Sequence, residues 1–439
     1  MSSIGKRFFI YILICSMTVI PEFYTIFGRI GVCEVIGLFF IVTFGFDIHR
    51  QEVHHLLPLF VAPLIIGCAV LSTMVIMERP FHSSYFYVFF SYIRNILYLV
   101  IGLYCGRILA IKDLKKVLSF FIVISCISMF MAWGQISIDS FLNLTQRIYN
   151  PEDMHSVNWS WSSRPPGPFV RVFSYSYFTV IVFWLINSYP PRVLHPWLKH
   201  FLIAFVIASC FISQTKGALL ALILSFFIWI FQHAQISYIK KYQLLFLPIL
   251  LSPLIYFLTI WKDFSRYDFF NEFISLDWST NKSIYDYFQM LKEFETRFQY
   301  MEMQWNNFLS NPFLGDMYQS MVIDKFQDNL YLAQLSTSGG IGLIVILSIF
   351  FSAKNLKNRY EKINFNDKGM ALYNSVAQMV YWSVISAYLL GVTSNFFVGN
   401  RAINIVYFFW GLLEGTYSKL NTTNEVSKIL APKLAEQPQ

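Results

Sequence analysis

Six residues near the ends of apolar runs carry charge and hydrogen-bonding capacity from which a reaction centre could be built: Arg164, Arg171, Lys216, Arg297, Asp328 and Asn329. Arg164 sits in Ser163-Arg164-Pro165-Pro166-Gly167-Pro168-Phe169, where the prolines stiffen the backbone and Gly167 permits close approach. Arg171 follows just inside the next apolar run, and Lys216 stands in Ser213-Gln214-Thr215-Lys216-Gly217. Arg297 lies in a long polar segment, and Asp328 and Asn329 mark the point where that segment returns to apolar sequence. A cation beside hydrocarbon costs roughly 2.5–3.5 kcal/mol or more, so it is kept where it faces water or an anion. Several cations converging from separate elements make a site for a dianionic group. Arg grips a phosphate with two parallel hydrogen bonds, while Lys acts as a point charge. Taken singly, Arg171 or Lys216 fits the commoner behaviour of snorkelling to headgroup phosphates. Snorkelling is also the expected role of Arg79 and Arg401.

The motifs of soluble enzymes are missing: there is no GxGxxG, P-loop, HExxH or GxSxG, and no Cys/His metal cluster. No nucleotide, cofactor or metal is therefore expected. Arg94 and Glu34 fall within apolar runs, and a buried structural pair is the preferred reading over a transport role. His54, His55, His195 and His200 flank helix ends and need no catalytic explanation.

The elements that must position these residues are membrane-spanning helices. Hydrophobic residues make up 56% of the 439 and charged residues only 13%, against about 25% charged in ordinary globular domains. The apolar residues cluster into runs that approach the ~20 residues a bilayer requires, without the strict alternation of barrel strands. The expected spans are 8–27, 31–47, 56–77, 84–106, 117–137, 169–188, 200–214, 217–233, 243–261, 329–352, 370–396 and 402–415. The pair 200–214 and 217–233 is also compatible with a tight hairpin or a re-entrant pair. All six cysteines (Cys15, Cys33, Cys68, Cys105, Cys126, Cys210) lie in apolar runs and read as packing residues.

With the N-terminus cytoplasmic, nineteen Lys and Arg fall on inner segments, while the short outer turns hold four: Arg29, Arg79, Lys216 and Arg401. This is positive-inside topology, and it accounts for the net charge of +8 without nucleic acid. The chain then divides into five helices (1–137), a first long outer loop (138–168), helices six to nine (169–261), a large outer loop (262–328), helices ten to twelve (329–415) and a polar cytoplasmic tail (416–439). Loops of this size between packed elements usually bind something or do chemistry. The second contains Ile284, Phe288, Leu291, Phe294, Phe298, Met301, Trp305 and Phe308 at helical steps, ended by Pro312 and Gly315. This predicts an amphipathic helix of about 25 residues that lies on the membrane surface or roofs the bundle. Tyr149, Trp159, Trp161, Tyr267, Phe269 and Phe270 stand in the outer loops, as interface anchors or as platforms for sugar rings.

Four of these outer segments, in order, resemble the bacterial O-antigen ligase and O-antigen polymerase superfamily. Arg164-x-x-Gly167-x-Phe169 is similar to its arginine-glycine-phenylalanine segment before a helix. Ser213-Gln214-Thr215-Lys216-Gly217-Ala218-Leu219-Leu220 is similar to its serine-x-serine-arginine segment. The stretch from Arg297 through Trp305 to Asn311-Pro312-Phe313-Leu314-Gly315 resembles the arginine, tryptophan and proline-x-x-glycine that close its large periplasmic loop. Asp328-Asn329, nine residues, then Gly339-Gly340-Ile341-Gly342 is similar to its histidine-asparagine, spacer and GxxG. The match covers about residues 160–350. Two positions depart from the pattern: Asp328 replaces the ligase histidine, and Lys216 replaces an arginine.

The resemblance implies an all-α, polytopic inner-membrane protein with about twelve helices and a partly helical periplasmic loop. It implies a glycosyltransferase whose donor is an oligosaccharide on undecaprenyl pyrophosphate. In that reading Arg164, Arg171 and Lys216 bind the pyrophosphate, and Arg297 stabilises the leaving group. Asp328 is the general base and Asn329 positions the sugar. Membrane lipids would surround the chain, and a chain-length regulator and a flippase would be its partners. The loss of the histidine points to a polymerase building O-antigen, capsule or exopolysaccharide, with a ligase as the alternative. A flippase or transporter is the rival of another class. It would be expected to show repeated halves with ionisable residues at mid-membrane, and no internal repeat is visible.

Overall fold

The computed structural model describes residues 3–21, 23–25, 28–30, 32–44, 50–149, 165–169, 171–190, 193–213, 215–233, 292–320, 329–362, 368–391 and 401–422. Apolar runs fold as helices because helices pair their own backbone groups where no water is present. Among the described residues these are α1 (Ser3–Thr18), α2 (Val32–Phe44), α3 (Arg50–Val75), α4 (Ser83–Ile108), α5 (Leu114–Ser137), α6 (Asp139–Tyr149), α7 (Val172–Ser188) and α8 (Pro196–Ile212). They continue with α9 (Lys216–His233), α10 (Lys292–Ser310), α11 (Leu330–Lys362), α12 (Lys368–Leu390) and α13 (Arg401–Thr422). A helix lies at eleven of the twelve expected positions; the expected span 243–261 is outside the described residues.

Among the described residues, four segments are long and apolar enough to cross a membrane: Leu56–Val75, Val88–Ile108, Leu114–Ser137 and Leu330–Lys362. Three shorter apolar helices accompany them, Val172–Ser188, Pro196–Ile212 and Gly217–Ile230. Large apolar side chains face outward, with Leu64 at 66%, Phe130 at 63% and Ile344 at 69% exposure, while Ser176, Thr179, Gln334 and Asn404 are buried. Apolar outside and polar within is the distribution of a helix bundle embedded in a membrane.

Two sequence expectations change, and one left open is resolved. The first helix stops at Thr18 rather than near residue 27, because Pro21 cannot continue it. A short antiparallel hairpin follows, with Phe23 opposite Ile30 and Thr25 opposite Gly28. The segment 138–168, expected as a long polar outer loop, opens with a helix, α6. Segments 200–214 and 217–233 are two separate helices, α8 and α9, joined at Ser213–Thr215.

The centre is formed by α7, α12 and α13. Every residue of α7 from Ser174 to Ile186 is buried, as is every residue of α13 from Arg401 to Thr416. Trp184 stacks on Trp382 at 4.9 Å between ring centroids, and its indole donates to Ser386 at 3.0 Å. Tyr177 donates to the Ser383 carbonyl at 2.7 Å. The closest helix pair is α4 with α13, which run parallel. Gly102 and Gly106 lie against the backbone at Phe408 and Leu412, and Gly411 and Gly415 lie against the backbone at Leu99 and Leu103. Two small-xxx-small faces therefore meet reciprocally with no side chain between them.

Contacts between elements define two ends. At one end Arg7 pairs with Asp113 at 3.6 Å, Lys199 caps α7 through the carbonyls of Asn187 and Tyr189, and Lys419 donates to Leu109 at 3.1 Å. The opposite end gathers the C-termini of α1, α3, α5, α8 and α12 with the N-termini of α4, α7, α9, α11 and α13.

Candidate functional site

That second end carries the segments singled out by sequence. Pro165–Phe169, the strap leading into α7, is buried throughout. Gly167 adopts a left-handed backbone with φ of 58°. Its N–H donates to Gln135 Oε1 at 2.9 Å, and its carbonyl accepts from Gln135 Nε2 at 3.0 Å. Gln135 also donates to Thr145 of α6 at 3.0 Å, so α6 orients the amide that holds the strap. Arg171 occupies the N-cap position of α7 and is exposed.

The turn between α8 and α9 is pinned to the same helix. Ser176 Oγ lies 2.8 Å from Ser213 Oγ and 2.7 Å from Thr215 Oγ1, all three buried. This sets the start of α9, where Lys216 stands, beside the opening turns of α7, whose N-cap is Arg171.

The third and fourth segments meet each other. α10 ends at Ser310, and Asn311 Nδ2 closes the turn by donating to the Gly315 carbonyl at 2.8 Å. α11 breaks at Gly339, whose φ of 65° and ψ of −169° are open to glycine but strained for other residues. Gly340 N–H then donates to the Pro312 carbonyl at 2.8 Å, and Asp316 N–H donates to the Ser336 carbonyl at the same length. A side chain at Gly339 would collide with the Phe313 carbonyl, and one at Gly315 (φ 70°) would sit 2.6 Å from the Ser336 carbonyl. The break is thus a socket for the turn that ends α10. Thr73 of α3 accepts from Met317 N–H at 3.2 Å and ties the socket to the bundle.

Asn329 is buried. Its Oδ1 accepts from the N–H groups of Tyr331 and Leu332, both at 3.0 Å, which is N-capping of α11. Leu330 N–H reaches the Gly391 carbonyl at 2.7 Å, fixing this start against the end of α12. Arg164 and Asp328 lie outside the described residues, and so do the side chains of Lys216 and Arg297. The α10 backbone leads away from the socket, placing Arg297 roughly 20 Å along the helix axis from Asn311 at 1.5 Å per residue. The amphipathic helix expected from 284 to 308 is described from Lys292 to Ser310, the earlier part lying outside the described residues. Trp305 and Leu309 are exposed along it, as is Phe313 in the turn that follows.

Two arginines differ from expectation. Arg79 does not simply snorkel: it lies 3.6 Å from Asp316 Oδ2 and over the Tyr318 ring. Arg401 is only 5% exposed. Its Nη2 reaches the carbonyls of Ser16 and Ile20, its Nη1 donates to the Pro168 carbonyl at 3.3 Å, and its guanidinium stands 5.7 Å from the Phe169 ring centre. The sequence did hold a signal. A cation at the first position of a helix opposes the helix dipole, so it needs acceptors from elsewhere. Arg94 and Glu34 form the expected pair at 4.0 Å, with Glu34 buried and Arg94 half-buried. Tyr149 is packing rather than a sugar platform, since it is buried and donates to the Val19 carbonyl at 2.6 Å. Burial raises its phenol above the ordinary value and the nearby Arg401 lowers it in part, so it remains a donor at neutral pH. The other outer-loop aromatics lie outside the described residues.

Searches against protein-family models and against curated proteins give no match to this chain.

Proposed function

We propose that this chain is a glycosyltransferase that joins oligosaccharide repeat units carried on undecaprenyl pyrophosphate, acting at the end of the bundle where the strap, the α8–α9 turn and the socket lie. In this reading twelve spans cross a bacterial inner membrane, both termini are cytoplasmic, and that end faces the periplasm. The support is the clustering of the matched segments. Two of the four meet through main-chain hydrogen bonds, Gly340 with Pro312 and, beside it, Asp316 with Ser336. The other two are held at the opening of α7.

The acceptor sugar hydroxyl attacks the anomeric carbon of the donor and gives its proton to Asp328. The bond from that carbon to the pyrophosphate oxygen breaks, and the lipid pyrophosphate leaves with the electron pair. Negative charge grows on the leaving group, so cations already in place lower the barrier. Arg164, Arg171, Lys216 and Arg297 are assigned to that charge and need no metal to neutralise it. Asn329 is assigned to positioning the sugar, and its Oδ1 caps α11.

The test is polymer length in cells carrying Arg164→Ala, Arg297→Ala or Asp328→Ala at matched protein abundance. Each loss is expected to cost on the order of a hundredfold or more in chain extension. Normal long polymer from all three variants overturns the site. Full-length chains left on the carrier lipid in a deletion strain would instead identify the ligase.

A further inference from the structure

We propose that the Trp305–Leu309 edge of α10, with Phe313 in the turn after it, is a lipid-docking surface that sits in the membrane leaflet beside the socket and holds α10 at headgroup level. α10 packs on α11, and the fully buried Gln304 marks its inward side. The outward side divides in two. Trp305 and Leu309 are one turn apart, so they share an edge, and both are exposed. Glu302, Asn306 and Ser310 share the adjoining edge and are exposed too. An apolar edge beside a polar one is what a helix needs to lie at a membrane surface. Phe313, 72% exposed, is held between two helices apolar enough to cross a membrane. On one side the Pro312 carbonyl accepts from Gly340, four residues before the outward-facing Ile344 of α11. On the other, Asn311 Nδ2 lies 3.9 Å from Met77 Sδ and Met317 N–H donates to Thr73, next to the outward-facing Val75 and Ile76 at the end of α3. The outward apolar faces of both spans therefore end beside Phe313. A lone exposed apolar side chain is ordinary on a protein surface, whereas a group of them signals a partner. The surface that this group adjoins is the one facing hydrocarbon, and an indole at its border suits the headgroup level. The edge would meet lipid in either orientation of the bundle and whatever the reaction.

The experiment uses full-length protein lacking its native cysteines, reconstituted in phosphatidylcholine vesicles and spin-labelled at one position at a time. The variants are Trp305→Cys, Leu309→Cys and Phe313→Cys on the proposed edge, Glu302→Cys and Asn306→Cys on the polar edge, and Ile344→Cys as the hydrocarbon reference. Collisions with oxygen, which concentrates in lipid, are compared with collisions with a water-soluble nickel chelate. The oxygen-to-nickel ratio is expected to be several-fold higher at Leu309 and Phe313 than at Glu302 and Asn306. The derived depth is expected to be about 5–10 Å into the boundary between headgroups and chains, with Trp305 shallower and Ile344 deeper. Leu309→Cys lies outside the socket and carries the test should Phe313→Cys fold poorly. A ratio at Leu309 and Phe313 no higher than on the polar edge overturns the inference, because the edge then faces water. Few collisions with either reagent also overturn it, because the edge is then covered by protein, whether another part of this chain or a second copy.

Discussion

Arg359 and Glu414 tie the C-terminal parts of α11 and α13 through two parallel contacts, Nη1 to Oε2 at 3.0 Å and Nη2 to Oε1. Glu414 is 1% exposed, and Arg359 also lies over the Tyr417 ring at 5.0 Å. Removing one partner strands a buried charge, which costs about 3–5 kcal/mol, whereas replacing both by apolar residues is often near neutral. Arg359→Ala is therefore expected to lower unfolding stability in detergent sharply, and Arg359→Leu combined with Glu414→Leu to recover most of it; a single variant as stable as the parent would contradict this. Residue types were legible in the sequence, and so was the Arg94–Glu34 pair, because two opposite charges inside apolar runs must find each other. The fate of Arg401 was not, since its acceptors are carbonyls at residues 16, 20 and 168. Every residue has a carbonyl, so no side-chain pattern marks the ones that accept. Asn329 shows a different limit: its type suits a sugar or a helix cap, and only the geometry reveals the cap.

At the scale of elements, the spacing Gly102-x-x-x-Gly106 and Gly411-x-x-x-Gly415 makes a seam with backbone against backbone among the described residues. A methyl at Gly411 would press on the Leu99 carbonyl and one at Gly102 on the Phe408 carbonyl, so the helices would have to separate. Gly411→Ala and Gly102→Ala are each expected to destabilise by about 1–3 kcal/mol, the usual cost of overpacking. Gly67→Ala is the control, because its new methyl would meet only the Phe89 ring edge at 3.5 Å, an ordinary contact. Thermal melting of the three variants in one detergent checks the order; equal melting would argue against the seam. Existence of the long helices was legible because hydrocarbon length and apolar runs coincide. Pairing was not, since the two glycine faces are some 300 residues apart in sequence. α6 went unread for a different reason: its buried face is Leu142, Thr145, Gln146 and Tyr149, half polar, so apolar periodicity is thin. The adjacent glycines at 339 and 340 did signal a break in α11, but the apolar run on both sides of it outweighed them.

For the whole molecule, the decisive property is the difference between the two ends. One end holds Arg7, Lys199, Arg359 and Lys419 against carbonyls and carboxylates. The other buries a proline strap, three left-handed glycines and a broken helix. Lys and Arg resist translocation, and in the proposed orientation the first end would face the cytoplasm and the second the compartment where lipid-linked sugar is presented. α5 gives the cleanest test, because it is a single apolar helix of 24 residues with an exposed residue just beyond its C-terminus, Asp139, and another near its start, Lys116. In a background lacking the native cysteines, Asp139→Cys is expected to react with a membrane-impermeant maleimide in spheroplasts, and Lys116→Cys only after permeabilisation. The reverse pattern would turn the bundle over and place the strap and the socket in the cytosol. An undecaprenyl-pyrophosphate donor presented in the outer leaflet would then be out of reach, and the enzyme reading would fall while the helix packing stood unchanged. Equal labelling of both positions in spheroplasts would show that α5 does not separate two compartments, and the assignment of Leu114–Ser137 as a span would fall with it.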